Sequence, residues 1–171
     1  MNIIIGNCIS FLSALFTIYS SIQKEREKIY FYQIWQCFAM VIASLFFVSY
    51  SGVCTFLLCT IRNYLLMKDK YTKNMCYLFM LAIGILGILS NNRGMLGLLP
   101  VIGSIIYTYG SLICKKTISI KINIILNLLI WGIYEGMIYD FVSAIVDGSS
   151  AIITIYSIQK EKKEAPSKSF S

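Results

Sequence analysis

The sequence predicts an all-α membrane protein of seven transmembrane helices. They form two parallel three-helix bundles joined by a linker helix, with the N-terminus outside and the C-terminus inside. Three observations carry this expectation: an apolar composition, two uncharged stretches too long for one crossing, and basic residues confined to alternate loops.

Of the 171 residues, 57% are hydrophobic and 13% charged, with a mean hydropathy of +0.72. Soluble domains carry about 25% charged residues, so most of this surface is expected to face lipid. Net charge is +7, from 15 Lys+Arg against 8 Asp+Glu. The basic residues sit in short runs between apolar stretches, the pattern of cytoplasmic membrane loops, so nucleic acid is not an expected partner. There is no histidine, which removes the commonest general base and metal ligand and excludes Ser/His or Cys/His catalysis. The cysteines, Cys8, Cys37, Cys54, Cys59, Cys76 and Cys114, fall in or beside apolar stretches without a CxxC and read as packing residues. No metal or cofactor is expected, and the chain does not read as an enzyme.

A helix needs about 20 apolar residues to cross ~30 Å of hydrocarbon. Ile3 to Ile22 is span one, ended by Lys24-Glu25-Arg26-Glu27-Lys28. It lacks a basic n-region and reads as a retained span, not a signal peptide. Between Ile29 and Met67 the only charge is Arg62. One helix over that stretch would be about 58 Å long, so it folds back, with the turn expected at Ser49-Tyr50-Ser51-Gly52. Spans two and three are then Ile29–Val48 and Tyr50–Met67. Span four is Met75 to Leu89, and Ser90-Asn91-Asn92-Arg93-Gly94 is a polar turn. Span five runs from Leu96 to Cys114. The stretch from Ile122 to Ile158 is again too long for one crossing; a break at Tyr139-Asp140 yields spans six (Ile122–Tyr139) and seven (Phe141–Ile158). The charged, Pro- and Ser-containing tail is expected to be disordered.

With the N-terminus outside, inside loops hold Lys24, Arg26, Lys28, Lys68, Lys70, Lys73, Lys115, Lys116 and Lys121, and the tail adds Lys160, Lys162, Lys163 and Lys168. Outside there is only Arg93. This asymmetry is what the positive-inside tendency predicts, and an even number of spans would scramble it.

Shifting spans one to three by about 92 residues lays their boundaries on spans five to seven: Ile22 on Cys114, Ile29 on Lys121, Val48 on Asp140. The expected organisation is a first three-helix repeat (1–70), a linker helix (71–93), a second repeat (94–160) and a cytoplasmic tail (161–171). Parallel repeats about an axis along the membrane normal occur in SWEET-type transporters.

Ionisable groups inside the hydrocarbon are costly, and each is a functional candidate. Asp147 lies deep in span seven beside Gly148-Ser149-Ser150. Arg62 lies in span three near its cytoplasmic end, where its side chain is expected to snorkel; it meets Asp147 only by reaching upward. Glu135 and Trp131 share a face of span six, a ring and a carboxylate suited to a polar solute. Gly132 and Gly136 form a GxxxG, expected at a close helix contact. Pro100, early in span five, is a candidate hinge. Trp35, Gln36 and Asn127 are candidates to line a central cavity. Asp140 reads as a turn residue at the outer surface, which argues against a two-carboxylate site.

Leu98-Leu99-Pro100-Val101-Ile102-Gly103-Ser104-Ile105, the basic step Lys115-Lys116, the Trp131-centred span six, Asp147-Gly148-Ser149 and Ile61-Arg62 together resemble the YgjV-type bacterial inner-membrane protein family. The resemblance covers Met1 to about Lys160. It implies membership of the MtN3/SWEET/PQ-loop superfamily, a three-plus-one-plus-three fold, a bacterial plasma-membrane location and a transport-like role. It also implies that Asn63 and Trp131 approximate substrate-facing positions, with Asp147 standing where span seven lacks an asparagine. The sequence departs from the PQ-loop pattern: Val101 follows Pro100, and span one has no proline.

Two functions remain open. One is a transporter of a small polar solute by alternating access, using Asp147, Trp131, Asn63, Arg62 and Glu135. The other is a non-transporting scaffold, assembly factor or sensor whose polar groups only join helices. The expected partners are the lipid bilayer and a small polar solute, with homo-oligomerisation left open.

Overall fold

A computed structural model describes residues 2–167, with side chains described over 3–162. The chain forms seven helices: α1 (Asn2–Ile22), α2 (Arg26–Phe46), α3 (Tyr50–Met67), α4 (Lys73–Leu89), α5 (Leu98–Ile113), α6 (Thr117–Met137) and α7 (Phe141–Ser167). Among the described residues there is no strand. Four helices, α1, α2, α6 and α7, are long and apolar enough to cross a membrane; α4 and α5 are apolar but shorter.

Two boundaries correct the sequence reading. Helix α6 begins at Thr117, five residues before the expected Ile122, and takes Lys121 inside the helix. Helix α7 continues through Ser167, so the tail expected to be disordered from residue 161 is helical that far; residues 168–171 lie outside the described ones. Gln159-Lys160-Glu161-Lys162 is a run of good helix formers. Glu161 is fastened to α6 by Lys121, whose Nζ donates to Glu161 Oε1 and to Ser157 Oγ, both at 2.6 Å.

The α2–α3 and α6–α7 hairpins are built alike. Each turns on a non-glycine residue in the left-handed region, Val48 (φ 53°) and Tyr139 (φ 68°). In each, the next N–H reaches back to close the helix, Ser49 to the Ser44 carbonyl (2.9 Å) and Asp140 to the Glu135 carbonyl (3.0 Å), as in a Schellman motif. The same residue then caps the following helix. Ser49 Oγ accepts from the Gly52 N–H at 3.3 Å, and Asp140 Oδ1 accepts from the Ser143 N–H at 3.2 Å. The first turn therefore sits at Phe47–Ser49, and Gly52 lies inside α3.

The likeness extends along the chain. Ile22 and Ile113 end helices, Arg26 and Thr117 start them, Phe46 and Met137 end them, and Tyr50 and Phe141 start them; each pair is 91 residues apart in number. The same offset carries Ser13, Thr17 and Ser20 of α1 onto Ser104, Thr108 and Ser111 of α5, all buried.

Helices adjacent in sequence pack side by side; α1 also packs on α7, and α3 on α5. Six helices thus close a ring, with α4 seated against α3 and α5. Polarity is reversed from that of a soluble bundle. Phe11, Leu78, Ile145 and Ile152 point outward, while Ser10, Thr55, Arg62, Glu135 and Asp147 are buried. Lipid does not reward burying apolar surface, so small and polar residues form the helix contacts instead. Many buried hydroxyls are satisfied by their own helix: Thr55 donates to the Ser51 carbonyl, Thr108 to Ser104 and Thr154 to Ser150.

Candidate functional site

The ring encloses a polar cavity of about 40 Å³, room for about three waters. All three bundle-forming helices of the first half line it, as do α5, α6 and α7 of the second: Thr17, Ser20 and Ser21; Gln33, Gln36 and Cys37; Phe56, Cys59, Arg62 and Asn63; Tyr107; Asn127, Trp131 and Glu135; Asp147. The five residues singled out as binding candidates, Asp147, Trp131, Asn63, Arg62 and Glu135, are thereby brought to one place.

Arg62 occupies the end of the cavity nearer the basic loops. Its guanidinium does not snorkel: the residue is 2% exposed. Nε and Nη2 donate to Asn63 Oδ1 at 3.2 and 3.0 Å, and Nη1 donates to Thr108 Oγ1 at 2.8 Å. The guanidinium also lies 4.5 Å from the centre of the Tyr107 ring. The correction has a simple cause: Arg62 is on the face of α3 turned towards α5, not towards lipid. Asn63 in turn donates from Nδ2 to Cys37 Sγ at 3.7 Å. Among the described residues no carboxylate lies within ion-pair distance of Arg62.

Glu135 and Asp147 occupy the opposite end, in side-chain contact with each other. The two-carboxylate arrangement that the sequence reading set aside is therefore present, made by Glu135 with Asp147 rather than with Asp140. Glu135 Oε2 has no hydrogen-bond partner, nor does Asn127 Oδ1 further along the cavity. Gly132 faces α7: a Cβ there would stand 3.5 Å from Asp147 Cβ and 3.7 Å from the Ala144 carbonyl, ordinary contact distances. The expected GxxxG contact is thus the α6–α7 seam. No Arg62–Asp147 pair forms. Arg62 is twelve residues into α3 and Asp147 six into α7, a level difference of about 9 Å.

Contacts between the halves flank the cavity at both ends. Towards the basic loops, Tyr107 Oη donates to Gln33 Oε1 at 2.9 Å, beside the Arg62–Thr108 bond. At the other end Ser49 Oγ and Tyr134 Oη are 2.5 Å apart, and the Phe56 and Trp131 rings sit 4.2 Å apart, with Trp131 also edge-on to Tyr134.

Three other expectations resolve differently. Pro100 is in the first turn of α5, where its missing N–H costs no intrahelical bond. Trp35 is 47% exposed and faces outward with Phe16 and Phe38, while Gln36 and Asn127 do line the cavity. Asp140 is a turn residue as expected, yet fully buried. Burial pushes its carboxyl up from the ordinary value, and hydrogen bonds from Ser10 and Ser143 oppose that rise. Ser10 Oγ donates to Asp140 Oδ2 at 2.8 Å.

Sequence reasoning missed Thr17, Ser20, Gln33 and Tyr107. The signal was present in the shared spacing Ser13/Thr17/Ser20 and Ser104/Thr108/Ser111, which places hydroxyls on one face of each helix. Among the described residues no cluster of His, Cys, Asp or Glu has the arrangement to hold a metal ion.

No curated protein and no solved structure matches the chain. The Imp-YgjV family, described as a bacterial inner membrane protein, matches residues 4–165. With the outward apolar faces, the polar interior and that match over nearly the whole length, the chain belongs to the Imp-YgjV family of bacterial inner membrane proteins.

Proposed function

We propose that the protein is a multi-pass carrier of a small polar solute, working by alternating access, and not an enzyme. In this reading α3, α4 and α5 complete seven crossings, with the basic loops inside and the N-terminus outside. Helices α1–α3 and α5–α7 form two parallel repeats of SWEET-like, PQ-loop-type architecture, and α4 is the linker that keeps them parallel.

The observation that carries the reading is the cavity lined by polar side chains from both halves, with contacts between the halves at each end. Rocking one unit on the other breaks Ser49–Tyr134 and Phe56–Trp131 at one end, or Gln33–Tyr107 and Arg62–Thr108 at the other, and opens the cavity to one side at a time. The boundaries repeating at 91 residues and the ring closure of α1 on α7 and α3 on α5 support the two-unit description. Asp147 is assigned to the solute site, with Trp131, Asn63, Arg62 and Glu135 around it.

The test is flux of a metabolite panel into proteoliposomes. Wild type is expected to move at least one polar solute, and Asp147→Asn to lose that flux while staying folded. The small volume of the cavity favours the second reading, a scaffold, assembly factor or sensor. That reading takes over when no solute moves and Asp147→Asn changes stability alone.

A further inference from the structure

The cavity has a guanidinium at one end and two carboxyl groups at the other, and among the described residues no ion pair joins them. At one end is a permanent guanidinium, 2% exposed. Its hydrogen bonds and ring contact are with Asn63, Thr108 and the Tyr107 ring, none a carboxylate. At the other end are two carboxyls in contact, one of which, Glu135, is 2% exposed and keeps Oε2 without a partner.

An isolated buried ion in a membrane interior is costly and is retained where function needs it. Here Arg62 and Asp147 sit at backbone levels about 9 Å apart on the wall of one cavity, which Asn127, Cys37 and Cys59 also line. A ligand that is only an anion would answer Arg62 and leave the carboxyls unanswered. A ligand that is only a cation would do the reverse. A neutral polyol would answer neither charge. A molecule of zero net charge with a carboxylate at one end and an ammonium at the other satisfies both ends, and the loaded cavity gains no net charge.

We propose that the cavity binds a small zwitterion, its carboxylate against Arg62 and its ammonium against the Glu135–Asp147 pair. The proposal rests on reading the cavity as a solute site and names the class of solute. An α-amino acid places the two groups about 3 Å apart, and two hydrogen bonds of ~2.9 Å extend the reach to about 9 Å. That reach is of the same order as the difference in backbone level between Arg62 and Asp147.

The experiment is titration of the purified full chain with glycine, β-alanine, γ-aminobutyrate and δ-aminovalerate, read by calorimetry and thermal shift. Acetate, chloride, ethylammonium and glycerol are the half-ligand controls. At least one zwitterion is expected to bind about tenfold or more tighter than every control. Arg62→Gln and Glu135→Gln are each expected to weaken it by a similar factor, and Arg62→Lys, which keeps the charge, to weaken it less. Acetate or chloride binding as tightly as any zwitterion overturns the proposal in favour of a simple anion site. Glycerol binding as tightly, or no zwitterion binding to wild type, also overturns it. The controls act on wild type, so the result stands even where Arg62→Gln does not fold. Binding without flux removes the carrier reading and leaves the ligand class in place. Flux of a neutral solute with no zwitterion binding does the opposite.

Discussion

Asn7 and Asn92 perform the same task on opposite hairpins. Asn7 Nδ2 donates to the Tyr139 carbonyl at 3.2 Å and Oδ1 accepts from the Val142 N–H at 3.2 Å. Asn92 Nδ2 donates to the Val48 carbonyl at 2.7 Å and Oδ1 accepts from the Tyr50 N–H at 3.4 Å. Each asparagine bridges the left-handed residue of a hairpin distant in the chain, Asn7 from α1 and Asn92 from the α4–α5 turn, and Arg93 adds a bond to the Phe47 carbonyl. The left-handed conformation is expensive for a non-glycine residue, roughly 1–2 kcal/mol, and these bridges help to hold it.

Removing either bridge is therefore expected to destabilise the fold. Asn7→Ala and Asn92→Ala should each cost about 1 kcal/mol, read as a lowered midpoint in chemical or thermal unfolding of the purified protein. Val48→Gly and Tyr139→Gly relieve the backbone strain and should partly restore the corresponding alanine variants. No loss in either alanine variant contradicts the clamp.

Lys121 and Glu161 supply a sharper test. Lys121 has no exposed side-chain surface and Glu161 has 14%, so removing Glu161 strands a buried ammonium. Glu161→Ala should destabilise by about 3 kcal/mol, whereas Lys121→Met with Glu161→Leu should be close to neutral. Unfolding midpoints of the single and double variants decide it, and equal losses in both would show that the pair is not buried in the folded protein.

The α6–α7 seam predicts a size threshold at Gly132. A methyl there meets ordinary contact distances, so Gly132→Ala should stabilise by up to about 0.5 kcal/mol through helix propensity. Gly132→Leu overfills the seam and should cost about 1–3 kcal/mol, and it should also displace Asp147 and impair solute binding. Unfolding and binding measured on the same samples separate the two effects.

The loop charges predict sidedness. Single cysteines placed at Lys24, Lys70 and Lys116 in a background lacking the native thiols should all react with an impermeant reagent from the cytoplasmic face. A cysteine at Arg93 should react from the outside. Labelling of Lys24 and Lys70 positions from opposite faces would remove the proposed orientation and the carrier geometry with it.

Helix existence was legible because it follows from local chemistry. Largely apolar runs the length of Ile29–Met67 and Ile122–Ile158 cannot be one crossing, and Tyr139-Asp140 was located as a turn from polarity alone. Helix ends were less legible. Lys121 looks like a loop residue until its partner forty residues later is known, and Glu161 looks like tail for the same reason. Among site residues, Asp147, Glu135 and Trp131 were visible because a charge or indole in an apolar run is conspicuous. Thr17, Ser20 and Gln33 were not, since small polar residues are common at any helix contact in lipid.

By itself the sequence determined that this chain is helical, that its surface is apolar, and that a few ionisable groups sit inside that surface. Those properties are sums over neighbouring residues, and hydrocarbon thickness turns them into spans. Tertiary structure decided where the ionisable groups point. Only the packing of α3 on α5 turns Arg62 inward to Thr108 and Tyr107, and only the close seam of α6 on α7 brings Glu135 to Asp147. Each of those contacts joins residues distant in the chain, and helical periodicity specifies a face without specifying which neighbour will cover it.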